Sequence, residues 1–332
     1  MDTIVTVTAN PAVDRSAVVD QVQIDVKLRM HSVQRDAGGG GINVSRAIAR
    51  LGGPSHAGGP SLAGGPSRAV FVSGGVEGTI LEELLAQEHI DATPTRIAGA
   101  IRENLTVVEE SSDRQYRFGM PGPELSADEL GRFEASVHER MEPGAWIVAS
   151  GSLPPGVPTD FYAKLSAEAT RNDCRFVVDT SGDALAAAVR EGAFLIKPNL
   201  RELASLVGAE TLEDPDIREA ARELIRGGSV QNVVVSLGSA GALLVTSDGI
   251  ARFSAPTVSV NSRIGAGDSM IGGIVGALAD GSSMVEAVRW GVAAGAAAVM
   301  TPGTELCRGD DARRLRDEVR VREGADGNGE TL

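Results

Sequence analysis

Lysine is almost missing from this chain. Lys27, Lys164 and Lys197 are the only lysines among 31 cationic side chains, and 45 acidic ones leave a formal net charge of −14. Nucleic acid and anionic membrane both require a basic face, so neither is expected as a partner. Cysteine is scarcer still. Cys174 and Cys307 cannot make a disulfide framework, and with four scattered histidines they offer no zinc spacing. A run of about 18 apolar residues, as a membrane span needs, is absent, and Met1–Val7 lacks the basic start and long apolar stretch of a signal peptide. The cytoplasm is the expected compartment. Also missing are a Walker loop and a G-x-G-x-x-G after the first strand, which removes the main support for a P-loop NTPase or a dinucleotide dehydrogenase. Asp179-Thr180-Ser181 has the acid of a ribose binder without the glycine fingerprint that should precede it.

What the chain has is glycine, 41 of them. Asn261-Ser262-Arg263-Ile264 leads into Gly265-Ala266-Gly267-Asp268 and an apolar helical stretch. Small residues let a backbone approach a ligand, and a helix start presents free N–H groups to anions. One reading is phosphoryl transfer, with the Gly265, Ala266 and Gly267 amides stabilising the migrating group and Asp268 taking a proton from the attacking hydroxyl. The other is a glycine-rich turn with an Asp helix cap.

Along the rest of the chain, residues 3–8 read as a strand ending at Asn10-Pro11, and Gly38-Gly39-Gly40-Gly41 feeds a helix over 42–51. From 126 onward helices alternate with nearly continuous apolar strands at 145–149, 175–179, 193–196 and 232–237. That pattern predicts an α/β fold whose mostly parallel central sheet is covered on both faces. The β-like runs between 12 and 36, with the hairpin inside 96–119, do not alternate with helices. They are assigned to a small β-rich lid, and residues 1–11, 37–95 and 120–320 to the main domain. Gly-Gly-Pro-Ser recurs three times across 52–67, which reads as a flexible insertion, and the tail from 322 to 332 reads as disordered.

The remaining candidates fall at predicted strand ends, where α/β sheets bind ligands. Asp14, Gly39, Gly40 and Asn43 combine a carboxylate, glycine amides and a carboxamide that suit sugar hydroxyls. Lys27 and Arg102 on the lid suit a substrate already bearing phosphate. Ser152, in the stretch Ser150–Gly156, is a further hydrogen-bonding candidate. Lys197, Asn199 and Glu202 read as a capped helix start or as a phosphate lysine beside groups ordering hydrated Mg²⁺. Ser236, Gly238 and Gly241 form a turn able to pass beneath a nucleotide.

Asn10–Asp14, Gly38–Val44, Ser150–Gly156, Lys197-Pro198-Asn199, Val235–Gly238 and Gly265–Asp268 together resemble, in order and over about residues 3–315, the motif series of the ribokinase-like PfkB carbohydrate kinases. Gly38–Val44, Gln115–Phe118 with Met120–Gly122, and Thr304 with Leu306-Cys307 most resemble its 6-phosphofructokinase branch. The resemblance implies a ribokinase-like fold and ATP-dependent phosphorylation of fructose 6-phosphate at its C1 hydroxyl, a glycolytic step. Asp268 would be the base. Asp14, Gly39, Asn43 and Ser152 would bind the sugar, and Lys27 with Arg102 its phosphate, Arg102 from the partner subunit of a homodimer joined through the lids. Lys197, Asn199, Ser236, Gly238 and Gly241 would line ATP. A monovalent cation, usually K⁺, would sit near Ser262, Ile264, Ala298, Thr301 and Gly303. The family also implies that a second ATP can inhibit at the sugar site with Lys27 taking part. 1-Phosphofructokinase or tagatose-6-phosphate kinase is the alternative, with ribokinase or nucleoside kinase behind it. A silent sugar-phosphate sensor is disfavoured because Asp268 and its glycines are retained. Arg263 stands where a small Thr is common and Glu305 where relatives resemble Arg, so cation affinity or nucleotide preference is where this chain is expected to differ.

Overall fold

Trp146 and Val148 of one short apolar strand enter one hydrophobic cluster while Ile147 and Ala149 enter another, so this strand is buried on both faces. It belongs to a large central sheet in a computed structural model that describes residues 2–52 and 67–324. The chain runs β1 (Ile4–Thr8), β2 (Ala12–Val19), β3 (His31–Gly38), α1 (Gly40–Gly52), β4 (Ser67–Ser73), α2 (Gly75–Gln87) and β5 (Asp91–Arg96). Then come β6 (Arg102–Glu109), β7 (Arg114–Phe118), α3 (Ala127–His138), β8 (Trp146–Ser150), α4 (Phe161–Arg171) and β9 (Arg175–Asp179). They are followed by α5 (Gly182–Glu191), β10 (Ala193–Ile196), α6 (Leu200–Leu206), α7 (Asp214–Arg226) and β11 (Val230–Ser236). The last are β12 (Ala242–Thr246), β13 (Ile250–Ser254), α8 (Ala266–Ala279), α9 (Met284–Val299), α10 (Gly309–Arg316) and β14 (Arg320–Gly324).

The main sheet has the order β14-β13-β12-β11-β10-β9-β8-β1-β4-β5. It is parallel from β11 to β5 and antiparallel from β11 to β14. Helices α1, α8, α9 and α10 cover one face through Ile48, Leu51, Ile274, Trp290 and Leu315. Helices α2 to α7 cover the other, with Leu81, Phe133, Phe161, Leu185, Leu203 and Ile217 against the strands. Strand ends that carry Ser150, Asp179 and Lys197 therefore open on one edge, as crossover helices on both faces require.

A separate four-stranded sheet, β3-β2-β6-β7, stands off that edge. β2 runs parallel to β6 in the register Ala12↔Arg102, and β3 continues to Gly38, so this sheet leads directly into the glycine loop that starts α1.

The structure differs from the sequence expectation in four elements. β4, β5 and α10 were not anticipated. The tail does not become irregular at 322, because Val321 to Gly324 pair with β13. Its Arg320, Arg322 and Glu323 are charged, which an edge strand tolerates. The insertion expected at 52–67 lies outside the described residues except for its ends: Gly52 closes α1 and Ser67 opens β4.

Candidate active site

Two helix N-termini meet where the sheet edge and the small sheet converge. α1 begins in the glycine loop, where each missing side chain makes room for something specific. A Cβ on Gly38 would overlap the Asp14 carboxylate, and one on Gly40 would overlap the Ser150 hydroxyl. Gly39 takes a left-handed φ of +113° and has Thr8 and Pro11 packed against it. The Thr8 hydroxyl then accepts from the Ile42 N–H at 2.9 Å, satisfying one first-turn donor. This geometry points Asn43 at α8.

α8 begins after Gly265, whose φ of +72° lies in the left-handed region and whose Cα is approached by the Leu306 side chain. The amides of Ala266, Gly267 and Asp268 occupy the first turn, where a helix has no internal acceptor for them. Asp268 Oδ2 accepts a 2.9 Å hydrogen bond from Asn43 Nδ2, joining residues 225 apart in sequence. Although the cleft leaves Asp268 part of its surface, its carboxyl lies deep enough for burial to push its pKa up to about 6. Asp179 and Asp14 add to the rise, while the Asn43 hydrogen bond and the Lys197 charge oppose it.

Lys197 is buried, with Nζ 3.2 Å from Asp179 Oδ1. Burial alone would lower its pKa, but the Asp179 charge and hydrogen bond outweigh that and raise it, so it stays an ammonium. It also faces α8, since a Cβ on Gly267 would lie 3.4 Å from Nζ. Asn199 caps α6: its side chain accepts from the Arg201 and Glu202 amides, and Glu202 Oε2 accepts in return from the Asn199 N–H. Burial and Asp179 raise the Glu202 pKa. With its oxygen committed twice, Asn199 does not fit a water-ordering role toward a metal, and only Glu202 retains a free oxygen.

On the sugar side, Asp14 Oδ1 accepts from Asn104 Nδ2 at 2.8 Å, and burial raises its pKa against the pull of Asn104 and Arg102. Ser152 accepts from Asn10 Nδ2 at 3.3 Å. Arg102 corrects the sequence expectation that it arrives from a partner. The Ala12↔Arg102 register sets it over its own chain, donating to the Asn10 carbonyl at 3.0 Å and the Met120 carbonyl at 3.2 Å. Its Nε is buried without an acceptor among the described residues. Lys27 is not brought in. It is exposed between β2 and β3 and makes no ion pair or hydrogen bond among the described residues.

Beyond α8 lies a cavity of about 630 Å³, a size that suits a small molecule. Ser236, Gly238 and Gly241 line it together with Gly267, Val292 and Arg263. Gly241 is obligatory there, because at φ +96° its Cβ would run into the Phe253 carbonyl. Arg263 is the sole charged side chain of that lining. Glu305 points elsewhere, paired with Arg308 at 2.9 Å.

The loops expected to hold a cation lie side by side. Ser262 Oγ donates to the Gly303 carbonyl at 2.7 Å, and Thr301 Oγ1 donates to the Ala298 carbonyl at 2.7 Å. The Gly303 carbonyl keeps a second lone pair, whereas the Ala298 carbonyl already accepts from the Thr301 N–H at 3.2 Å as well as from its hydroxyl. None of the five positions carries a charged group, so a cation here would be held by neutral oxygens. Asp179 was weighed only as the acid of a ribose binder, and neither its pairing with Lys197 nor the donation from Arg46 to Asn43 Oδ1 was foreseen. The position of Asp179 at a strand end was the available signal. For Arg46, whose i+3 spacing from Asn43 in α1 is ordinary, there was none.

Residues 4–310 match the pfkB family of carbohydrate kinases. The chain is 42% identical over 313 residues to the ATP-dependent 6-phosphofructokinase isozyme 2 of Escherichia coli strain K12, covering 94% of this chain and 97% of that protein. The crystal structure of Escherichia coli phosphofructokinase-2 in complex with potassium superposes with a TM-score of 0.88 at 42% identity, over 96% of this chain and 99% of that one. A tetrameric inhibited form of the same Escherichia coli protein superposes with a TM-score of 0.87 at 41% identity, covering 96% and 99%.

Proposed function

We propose that this chain, which belongs to the pfkB family of carbohydrate kinases, transfers the γ-phosphoryl group of ATP to the C1 hydroxyl of fructose 6-phosphate with Asp268 as base. The observation that carries the reading is the position of Asp268. It lies in the first turn of α8, whose Ala266 and Gly267 line the cavity, and it accepts from Asn43 of α1.

Asp268 accepts the hydroxyl proton as the C1 oxygen bonds to the γ-phosphorus, and the bond from that phosphorus to the bridging oxygen breaks, releasing ADP with the electron pair. The amides of Gly265, Ala266 and Gly267, the last two in the first turn of α8, and the Lys197 ammonium face the charge that builds on the migrating group. Asp14 and Ser152 hold sugar hydroxyls, the Gly39 and Gly40 loop gives the sugar a close backbone wall, and Arg102 supplies a charge for the 6-phosphate. Ser236, Gly238 and Gly241 bound the nucleotide. Asp179, Glu202 and Asp268 surround one lysine, a surplus of negative charge that a hydrated Mg²⁺ near Glu202 would offset, neutralising phosphate charge when bound. Ser262, Ile264, Ala298, Thr301 and Gly303 would hold K⁺ beside the α8 N-terminus, in keeping with the potassium of the Escherichia coli structure.

The lid sheet supports an assembly of copies. The connection between its β2 and β3 exposes Ile24 at 87% and Val26 at 53%, along with Met30, and its strands expose Val33 and Phe118, more apolar surface than a free face ordinarily carries. Lid-to-lid pairing of two chains would cover these residues and bring each Lys27 to its partner's sugar site.

A coupled assay of ADP release across fructose 6-phosphate, fructose 1-phosphate, tagatose 6-phosphate, ribose and adenosine tests the assignment. The highest kcat/KM is expected for fructose 6-phosphate, with fructose 1,6-bisphosphate as product. A preference for ribose or adenosine would refute it.

A further inference from the structure

The hydrogen bond between Asn43 and Asp268 depends on which way a carboxamide points. A carboxylate accepts only donors, so Nδ2 must face it; the flipped amide would aim Oδ1 at Asp268 and repel it. The structure supplies what prevents the flip. Arg46, one turn further along α1, has a side chain only 1% exposed. Its Nη1 donates to Asn43 Oδ1 at 3.3 Å and to the Ala37 carbonyl at 2.6 Å. Its Nε and Nη2 grip the Glu88 carboxylate at 2.9 and 2.6 Å, and Asp36 Oδ1 lies 3.6 Å away. Asp36 in turn accepts from the Thr304 hydroxyl. The guanidinium is pinned from β3 and from the end of α2, and Asp36 is itself held from the loop after α9. Its remaining direction is toward the Asn43 oxygen.

We propose that Arg46 is a positioning residue for the base: it fixes the Asn43 amide so that Nδ2 occupies Asp268 Oδ2, leaving Oδ1 to take the hydroxyl proton. This inference rests on Asp268 acting as base. Asp268 Oδ1 accepts no hydrogen bond among the described residues, so the proton-accepting oxygen is set by elimination within one side chain. A lysine could keep the pair with Glu88. As a compact point charge it cannot also reach the Ala37 carbonyl and Asn43 in the fork geometry.

Arg46→Lys is therefore the test, with kcat and KM measured separately on the full chain using whichever sugar phosphate the wild type turns over fastest. A wrong substrate assignment then appears in the wild-type profile and leaves the ratio of variant to wild type readable. Positioning predicts that kcat falls about tenfold while both KM values stay within about threefold. A folded variant with full kcat and a lowered melting temperature would show that Arg46 is only structural and overturn the proposal. Should Arg46→Lys not fold, Glu88→Gln at the half-exposed end of α2 carries the test. It keeps the shape and loosens the grip, so kcat is expected to fall severalfold at unchanged KM, and an unchanged kcat overturns the proposal.

Discussion

For single side chains, the conflict in this protein is between ionising Asp268 and folding around it. A base must be unprotonated to work, yet burial beside Asp179 and Asp14 holds its pKa at about 6. The acid limb of kcat/KM should therefore bend near pH 6 in the free enzyme, a value read from a rate profile between pH 5 and 8. Because the folded pKa exceeds the unfolded one, this group favours folding fully below about pH 4, and that contribution is lost as pH rises through 6. Asp268→Asn should abolish turnover with little change in substrate binding and should stabilise the protein at pH 8 by about 1–3 kcal/mol. Calorimetry at pH 8 and at pH 4.5 checks this, with the gain shrinking at the lower pH. Arg263 belongs to the same scale. It is the single charge lining the cavity, so Arg263→Thr should raise the KM for ATP by about three- to tenfold with a smaller effect on kcat. Initial rates at saturating sugar phosphate decide it, and an unchanged KM for ATP would remove Arg263 from the nucleotide site.

At the scale of elements, glycine sets how closely helices approach. A Cβ on Gly273 of α8 would come 2.8 Å from the Trp290 carbonyl and 3.0 Å from Gly291 Cα in α9. One on Gly272 would lie 2.8 Å from the Ala47 Cβ in α1. The seams of α8 with α1 and α9 are thus backbone against backbone or methyl, which keeps the first turn of α8 in place beside Asn43. Gly273→Ala should cost about 1–3 kcal/mol by forcing α8 and α9 apart, and urea unfolding of the variant measures it. Most elements buried on both faces were legible, because β8, β9, β10 and β11 carry apolar runs between helical patterns, whereas β4, equally buried as SRAVFVS, directly follows the Gly-Gly-Pro-Ser repeats and was missed. β5, with the sequence DATPTR, and β14, with RVREG, escaped notice because an edge strand tolerates proline and charge. Similarly, α10 is polar over most of its length, burying only Ala312 and Leu315.

For the whole molecule, the small sheet is where the proposed assembly of copies would form. Its exposed Ile24 and Val26 and the unpaired Lys27 share one connection. Ile24→Asp combined with Val26→Asp should yield a single-chain mass by light scattering and raise the KM for the sugar phosphate. A variant that stays assembled would locate the interface elsewhere. From residues alone came the mostly parallel core of the sheet, the order of motifs along its edge and the family resemblance that makes Gly265–Asp268 a candidate phosphoryl-transfer site, because periodicity and short motifs are local. Which groups meet was settled by the folding of distant segments onto one another. Asn43 and Asp268 lie 225 residues apart, Lys197 turned out to face Asp179, and Arg102 folded over its own chain. Pairings of that kind depend on strand register and helix approach, which no local stretch of residues encodes.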